Sequence, residues 1–130
     1  MKNTTLVYIE QDGSYLMLYR NRKEHDVNHG KWIGVGGKME YGESPEECMR
    51  REVREETGLE VDTYRYAGIL TFRSDNDDME YIHLFTVNRF HSPSGKMKDC
   101  DEGELRWLKK SEITHIPHWI GDRIFLSLIL

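Results

Sequence analysis

Residues 37–59 read GKMEYGESPEECMRREVREETGL and contain the clearest local structure signals in the chain. Ser44, Pro45 and Glu47 predict a helix start, because Ser caps the first backbone amides, Pro suits the first helical position, and Glu at this spacing completes a capping box. Gly58 predicts the helix end as a left-handed C-terminal residue. The stretch therefore predicts one well-bounded central helix between two loops.

One face of this helix is acidic. At about 100° per residue, Glu52, Glu55 and Glu56 fall within an arc of about 100°, while Met49 and Val53 lie beside them on a core-facing stripe. Like charges three or four positions apart each cost about 0.2–0.5 kcal/mol on an isolated helix. A bound cation would convert that cost into a binding site.

Oxygen ligands without Cys or a His pair favour a hard ion, Mg²⁺ or Mn²⁺. The alternative is a solvent-exposed helix face on which the glutamates pair with Arg50, Arg51 and Arg54. The turn at Gly36 and Gly37 favours the cation site, because glycines let the backbone approach a ligand closely and this turn lies at a fixed spacing from the acidic cluster.

The segment resembles the Nudix box, Gly-x5-Glu-x7-Arg-Glu-U-x-Glu-Glu-x-Gly-U, where U is aliphatic. The resemblance implies an α/β/α sandwich that hydrolyses a nucleoside diphosphate linked to another group, by attack of water on phosphorus. A chance match to this many positions is very improbable. The chain matches at every fixed position: Gly37, Glu43, Arg51, Glu52, Val53, Glu55, Glu56, Gly58 and Leu59.

Carried over by position, the resemblance implies that Glu52, Glu55 and Glu56 bind Mg²⁺, with Mn²⁺ as a possible substitute. Glu52 or a neighbour would take the proton of the attacking water, and the backbone carbonyl of Gly36 or Gly37 would add a ligand. We expect the side chains of Glu52 and Glu56 to face solvent or metal.

Four further residues have roles under the same resemblance. Arg51 and Glu43 look like a pair that orients the acidic cluster. Glu102 is a candidate metal ligand from outside the box, the alternative being an acidic turn before a strand. Lys38, beside the glycine turn, is a candidate phosphate ligand or else an exposed, solubilising lysine.

The residues around the glycine turn, 30–38, and the strand 81–85 look like those of MutT-type 8-oxo-dGTP diphosphatases. Trp119 and Asp122 are candidate base-binding residues, by stacking and by a hydrogen bond to a purine edge. The alternatives are a core anchor for Trp119 and a first-turn acid for Asp122. Ile33, in the base-binding region, departs from the pattern, because several oxidised-purine triphosphatases have Asn there.

The rest of the chain predicts an α+β domain with a mixed sheet, spanning residues 1–130. Residues 5–9 and 15–19 alternate apolar and polar side chains around Asp12 and Gly13, which predicts a hairpin with positive φ at its turn. Tyr8, Tyr19, Phe72 and Phe85 are expected in the core, and His83 is expected as a sheet histidine rather than a ligand. Further predicted elements are strands at 32–35, 64–72, 81–90 and 105–108 and a final helix from about Trp119.

Composition excludes several classes of function. The 130 residues include 18 basic and 23 acidic side chains, a formal charge of −5, so no long-range field favours a nucleic-acid polymer or an anionic membrane. Cys48 and Cys100 fit neither a zinc site nor a disulfide framework, and we expect both reduced, with one packed inside. The first residues lack the apolar stretch of a signal peptide, which predicts a cytoplasmic protein, as a monomer or a homodimer.

Two classes of function follow. The first is a Mg²⁺-dependent pyrophosphohydrolase that converts an oxidised purine triphosphate such as 8-oxo-dGTP to the monophosphate and pyrophosphate, or that acts on another nucleotide such as a sugar nucleotide or a dinucleoside polyphosphate. The second is a nucleotide-binding sensor without turnover. Retention of all the glutamates of the box favours the enzyme, because sensor modules often lose them.

Overall fold

A computed structural model describes residues 2–20, 31–73, 78–98, 100 and 103–113. Six strands and two helices are present in this part of the chain. The helices are α1 (Pro45–Thr57) and the single turn α2 (Lys110–Ile113). The strands are β1 (Lys2–Gln11), β2 (Ser14–Tyr19), β3 (Trp32–Ile33), β4 (Glu60–Arg73), β5 (Met79–His91) and β6 (Glu104–Lys109).

The predicted hairpin is confirmed. β1 and β2 pair in antiparallel register, with Ile9 opposite Leu16. The turn between them places Asp12 at φ 51° and Gly13 at φ 78°. Two consecutive positive φ values are typical of the tight turns whose twist matches that of the flanking strands.

The sheet is mixed, with the order β3-β2-β1-β5-β4 and β6 paired with β2. β1 runs parallel to β5, from Lys2 opposite Glu80 to Ile9 opposite Val87, and the other named strand pairs are antiparallel. Isolated bridges join Val35 to Val7 and Lys38 to Thr4. Residues 35–38 therefore lie along the edge of β1.

The boundaries of α1 agree with the capping signals. The Glu47 amide donates to Ser44 Oγ at 3.1 Å, and the Ser44 amide donates to Glu47 Oε1 at 3.0 Å. At the other end Gly58 has φ 76°, and its amide donates to the Arg54 carbonyl at 2.9 Å.

Alternation along the strands separates the buried side chains into two clusters, one on each face of the sheet. Met49 and Val53 of α1 pack on the first, and Ile113 of α2 belongs to the second. The strand and connecting residues of the first cluster are Val7, Ile9, Leu16, Val35, Leu59, Val61, Phe85 and Val87. Those of the second are Leu6, Tyr8, Tyr15, Met17, Ile82 and Leu84.

Several expectations differ from the structure. The strand predicted at 64–72 begins at Glu60, because its polar first residues hide the alternation although they pair with the end of β5. Only Trp32–Ile33 of the strand predicted at 32–35 joins β2, and Gly34 lies too close to the Val7 carbonyl for any Cβ, which would stand 2.8 Å from it. Val35 makes a single bridge to β1.

The expected core aromatics divide. Tyr8 and Phe85 are buried and Tyr19 is half-buried against Trp32, but Phe72 is 37% exposed, so the core assignment of Phe72 is wrong. Phe72 lies near the end of the long edge strand β4, where little of the described chain covers it. The predicted final helix lies outside the described residues. Among the residues that the structure describes, no helix has the length and apolar character needed to cross a membrane.

Candidate active site

The glycine turn is fastened to β1 by backbone hydrogen bonds. Val7 and Val35 exchange two bonds, of 2.6 and 3.1 Å. The Thr5 amide donates to the Gly37 carbonyl at 2.8 Å, which points this carbonyl towards the strand. The glycine turn is therefore held by the same kind of backbone hydrogen bonds as a strand of the sheet. From the sequence, the residues after Val35 are predicted only as a loop.

Both glycines have close neighbours, and a backbone contact requires glycine at position 36. A Cβ on Gly36, which has φ 144°, would stand 2.1 Å from the Thr5 carbonyl oxygen. A Cβ on Gly37 would stand 2.6 Å from the carboxylate carbon of Glu52. The second contact shows that a glutamate of α1 packs directly against the backbone of the turn.

Arg51 joins most of the charged residues of the site. Its Nε and Nη2 donate to the two carboxylate oxygens of Glu43, at 2.7 and 3.0 Å. Its Nη1 donates to Glu52 Oε1 at 2.9 Å and to Glu55 Oε2 at 3.1 Å, and Nη2 also reaches the Lys38 carbonyl at 3.1 Å. One guanidinium thus connects α1, the glycine turn and the loop before the helix.

These contacts change the acidity of the pair. The hydrogen bond from Arg51 lowers the pKa of Glu43 to about 2, against a smaller opposing effect of burial. In turn the hydrogen bond to Glu43 raises the pKa of the Arg51 guanidinium. Both groups therefore stay charged throughout the neutral pH range, and their geometry does not change with protonation there.

Glu56 differs from the other two glutamates on its face. It is only 7% exposed, and its Oε2 accepts a hydrogen bond from the Gly36 amide at 2.8 Å. By contrast the side chain of Glu55 is 57% exposed. Glu56 therefore does not face solvent, because its carboxylate is buried against the turn, and its role as a metal ligand stays a prediction.

The donor set fits a hard divalent cation by its chemistry, since it consists of carboxylates and backbone carbonyls. Within the described ranges, however, no three acidic, His or Cys side chains converge closely enough to hold an ion. Arg51 draws the carboxylates of Glu52 and Glu55 to itself instead. The Gly37 carbonyl is already bonded to Thr5, so the Gly36 carbonyl is the better of the two predicted backbone ligands.

The remaining predicted residues are only partly placed. The Lys38 side chain is exposed, and Ile33 is half-buried in β3 opposite Leu18. Three others, Glu102, Trp119 and Asp122, lie outside the described residues. His83 is half-buried in β5, where burial lowers its pKa and its Nδ1 lies 2.9 Å from Tyr66 Oη, as fits a sheet histidine.

Two polar groups that the sequence did not single out for the site lie behind it. Thr5 and Cys48 are buried between β1, the glycine turn and α1, with Thr5 Oγ1 3.4 Å from Cys48 Sγ. Burial raises the pKa of the Cys48 thiol to about 11. The sequence does contain an indication that Thr5 is unusual, because this polar residue directly precedes the apolar run of β1.

Two clefts lie away from this site. One, of about 440 Å³, lies between the β1–β2 turn and the end of β5, and another, of about 340 Å³, shares Glu10 and Asn88 with it. Neither is lined by a residue of the Arg51 network. The residues of the box lie instead on the surface formed by α1 and the glycine turn.

The chain is similar to known proteins over nearly its whole length. A NUDIX domain model matches residues 2–129. The chain is 32% identical over 130 residues to an oxidized purine nucleoside triphosphate hydrolase of Danio rerio, covering 99% of this chain and 80% of the relative. It is 28% identical over 138 residues to nucleoside triphosphatase NudI of Escherichia coli, covering 98% and 97%.

Solved structures show the same architecture. A MutT protein of Bacillus halodurans superposes with a TM-score of 0.83 at 30% identity, covering 98% of this chain and 80% of that one. The ORF135 protein of E. coli gives a TM-score of 0.81 at 27% identity, covering 99% and 88%. With the domain model matching nearly every residue and the box forming the loop, helix and glycine turn described above, the chain belongs to the Nudix family.

Proposed function

We propose that this protein is a Mg²⁺- or Mn²⁺-dependent nucleoside triphosphate pyrophosphohydrolase, and that its substrate is an oxidised purine nucleotide such as 8-oxo-dGTP. The products would be the nucleoside monophosphate and pyrophosphate. The observation that carries the proposal is the Arg51 network, which gathers Glu43, Glu52 and Glu55 beside the glycine turn while Glu56 bonds to the turn itself.

The names of two relatives support the choice of substrate. One is an oxidized purine nucleoside triphosphate hydrolase and the other a nucleoside triphosphatase, and both align over nearly the whole of this chain. Both names describe an enzyme that acts on a nucleoside triphosphate. A triphosphate is therefore preferred here over a sugar nucleotide or a dinucleoside polyphosphate.

In this proposal Glu52, Glu55, Glu56 and the Gly36 carbonyl would hold the cation, and Glu102 would add a ligand. When bound, the cation would polarise the phosphoryl oxygens, lower the pKa of water and offset the charge of −5 against an anionic substrate. The exposed Glu55 is able to swing from Arg51 without disturbing the packing of α1.

Side chains of the site also accept a proton and position other groups. The carboxylate of Glu52 or of a neighbouring glutamate accepts the proton of the attacking water. Arg51, held by two hydrogen bonds to Glu43, keeps Glu52 beside the Gly37 backbone. Lys38 pairs with a phosphate of the substrate. Attack on an internal phosphorus then releases pyrophosphate.

A nucleotide panel tests the proposal. The purified protein is incubated with 8-oxo-dGTP, dGTP, a sugar nucleotide and a dinucleoside polyphosphate, with Mg²⁺, with Mn²⁺ or with excess EDTA, and the products are separated by chromatography. We expect fastest conversion of 8-oxo-dGTP to monophosphate and pyrophosphate, and none with EDTA. Full activity in EDTA, or release of inorganic phosphate, contradicts the mechanism, and binding without turnover would indicate the sensor function.

Base recognition is a separate part of the proposal and rests on Trp119, Asp122 and Ile33. If Asp122 bonds to the altered purine edge, Asp122→Asn should raise KM for 8-oxo-dGTP far more than for dGTP. One such hydrogen bond is worth about 1–3 kcal/mol when its partner is left unpaired. Steady-state kinetics on both nucleotides measure the difference. Equal losses on the two would show that Asp122 supports the fold instead.

A further inference from the structure

The Thr5 side chain occupies an unusual place for a hydroxyl. It is 4% exposed and directly precedes the run Leu6–Ile9, whose side chains are all buried. A valine would fill the same volume without a polar atom, and burying a hydroxyl is unfavourable unless it is hydrogen-bonded. Packing alone therefore does not account for Thr5.

The contacts of this hydroxyl converge on the glycine turn and α1. Thr5 Oγ1 lies 3.4 Å from the Gly37 carbonyl oxygen, 3.4 Å from the Gly37 amide nitrogen and 3.4 Å from Cys48 Sγ. The two distances to Gly37 are long for hydrogen bonds between nitrogen and oxygen atoms, whereas 3.4 Å is ordinary for a bond to the larger sulfur atom. The hydroxyl is therefore shared among the three groups. Cys48 Sγ itself lies 3.6 Å from the Gly37 carbonyl and 3.8 Å from Arg51 Nη2.

The glycine turn that Thr5 contacts also contacts three charged residues of the site. The Gly36 amide donates to Glu56, the Gly37 backbone packs against the Glu52 carboxylate, and the Lys38 carbonyl accepts from Arg51. A shift of a few tenths of an ångström in the turn therefore moves Glu56, Glu52 and Arg51 together. At 4% exposure, the Thr5 side chain lies inside the fold.

We infer that Thr5 is a positioning residue for this site. Its hydroxyl, with the Cys48 thiol, fixes the glycine turn against α1 and so places the Gly36 amide against the Glu56 carboxylate and the Gly37 backbone against the Glu52 carboxylate. This role rests on the proposed hydrolase function for its kinetic consequence, but its structural consequence, an ordered Gly37 amide, does not.

The test compares Thr5→Val, which removes the hydroxyl at constant volume, with Thr5→Ser, which keeps it. Thr4→Val is the matched control, because the Thr4 hydroxyl donates to Glu80 of β5 at 2.7 Å. For Thr5→Val we expect kcat to fall about three- to tenfold, KM to stay within about twofold, and Tm to stay within about 4 °C. Thr5→Ser and Thr4→Val should keep the kcat of the unaltered protein.

Two readouts do not depend on turnover. Calorimetric titration with Mn²⁺ should show a severalfold weaker Kd for Thr5→Val only, and the Gly37 amide should exchange its hydrogen faster in that variant only, as followed by NMR. An unchanged kcat and unchanged exchange in Thr5→Val, or equal losses in Thr5→Ser, would overturn the inference. If Thr5→Val does not fold, Thr5→Cys replaces it, since a thiol is a weaker hydrogen-bonding group.

The two proposals fail in different ways. If the unaltered protein hydrolyses a nucleotide other than 8-oxo-dGTP, the same comparison is made on that nucleotide. If it hydrolyses none and binds no Mn²⁺, the proposed function fails, while exchange at Gly37 still decides the role of the Thr5 hydroxyl.

Discussion

Two glycines with nearly the same backbone angle lie in very different parts of the molecule. Gly36, with φ 144°, is pressed between the Thr5 carbonyl and the Glu56 carboxylate, whereas Gly68 of β4, with φ 145°, would have nothing within 4 Å of an added Cβ. The turn at Gly36 is held by both the strand and the helix. The β4–β5 ribbon around Gly68 contains three register shifts and exposes Tyr66 and Ile69.

The difference teaches where this fold requires accurate placement. The outer strand β4 tolerates the bulges, because Val61 is the one buried side chain along its length. The glycine turn, by contrast, contacts three charged residues of the site, Glu52, Glu56 and Arg51. Substitutions of the same kind should therefore have unequal effects in the two regions.

The largest difference should be in turnover. Glu52→Gln and Glu56→Gln should each lower kcat by about 10²–10⁴-fold, as expected for loss of a general base or metal ligand. Glu60→Gln, which removes one charge from the exposed pair with Arg54, should leave kcat unchanged. Near-normal turnover in both of the first two variants would mean that the acidic face is only an ion-paired surface.

The two glycines give a direct comparison of stability. Gly68→Ala should cost about 1–2 kcal/mol, from the strain of alanine at positive φ. Gly36→Ala adds overlap with the Thr5 carbonyl, and we expect a total of roughly 4 kcal/mol or more. Urea denaturation measures both, and equal losses would show that the turn gives way to the added methyl group.

The pH dependence of stability sharpens the role of the Arg51 network. Because the pKa of Glu43 is lowered in the folded state, its contribution is complete above its unfolded value near 4.5 and is lost as the pH falls towards 2. Glu43→Gln should destabilise the protein by about 1–3 kcal/mol at pH 7. The gap to the unaltered protein should narrow between pH 4.5 and pH 2, and a constant gap would contradict the ion pair.

The smallest effect is expected at Cys48. Its thiol is buried and its pKa is raised to about 11, so little thiolate is present at pH 8. A water-soluble disulfide reagent should leave Cys48 unmodified in the folded protein and modify it fully in urea, as followed by mass spectrometry. Rapid labelling under native conditions would show that α1 opens away from the turn.

Local rules predicted what local contacts determine. The boundaries of α1 follow from Ser44, Glu47 and Gly58, and the first hairpin follows from Asp12 and Gly13, because capping and turn geometry involve only neighbouring residues. The mixed sheet and the family also agree with the sequence-based interpretation. Cys100 is buried as well as Cys48, whereas only one buried cysteine was expected.

Contacts between distant residues were not predictable in the same way. Nothing in the helix pattern shows that Glu56 is buried by Gly36 or that Thr5 reaches Gly37, since both depend on how β1 lies against the turn. For the same reason, residues 60–63 were not predicted as part of β4, because the first residues of this strand are mostly polar. The roles of the site residues therefore remain predictions for the experiments above.

The parallel pairing of β1 with β5 has a consequence for how the protein is made. Lys2 to Ile9 pair with Glu80 to Val87, so the first strand finds this neighbour only across more than seventy intervening residues. Contacts of such long sequence separation form late and slowly. On the ribosome, the N-terminal hairpin therefore waits with one edge unpaired until β5 has emerged, and a chaperone that shields this edge should raise the yield of active protein.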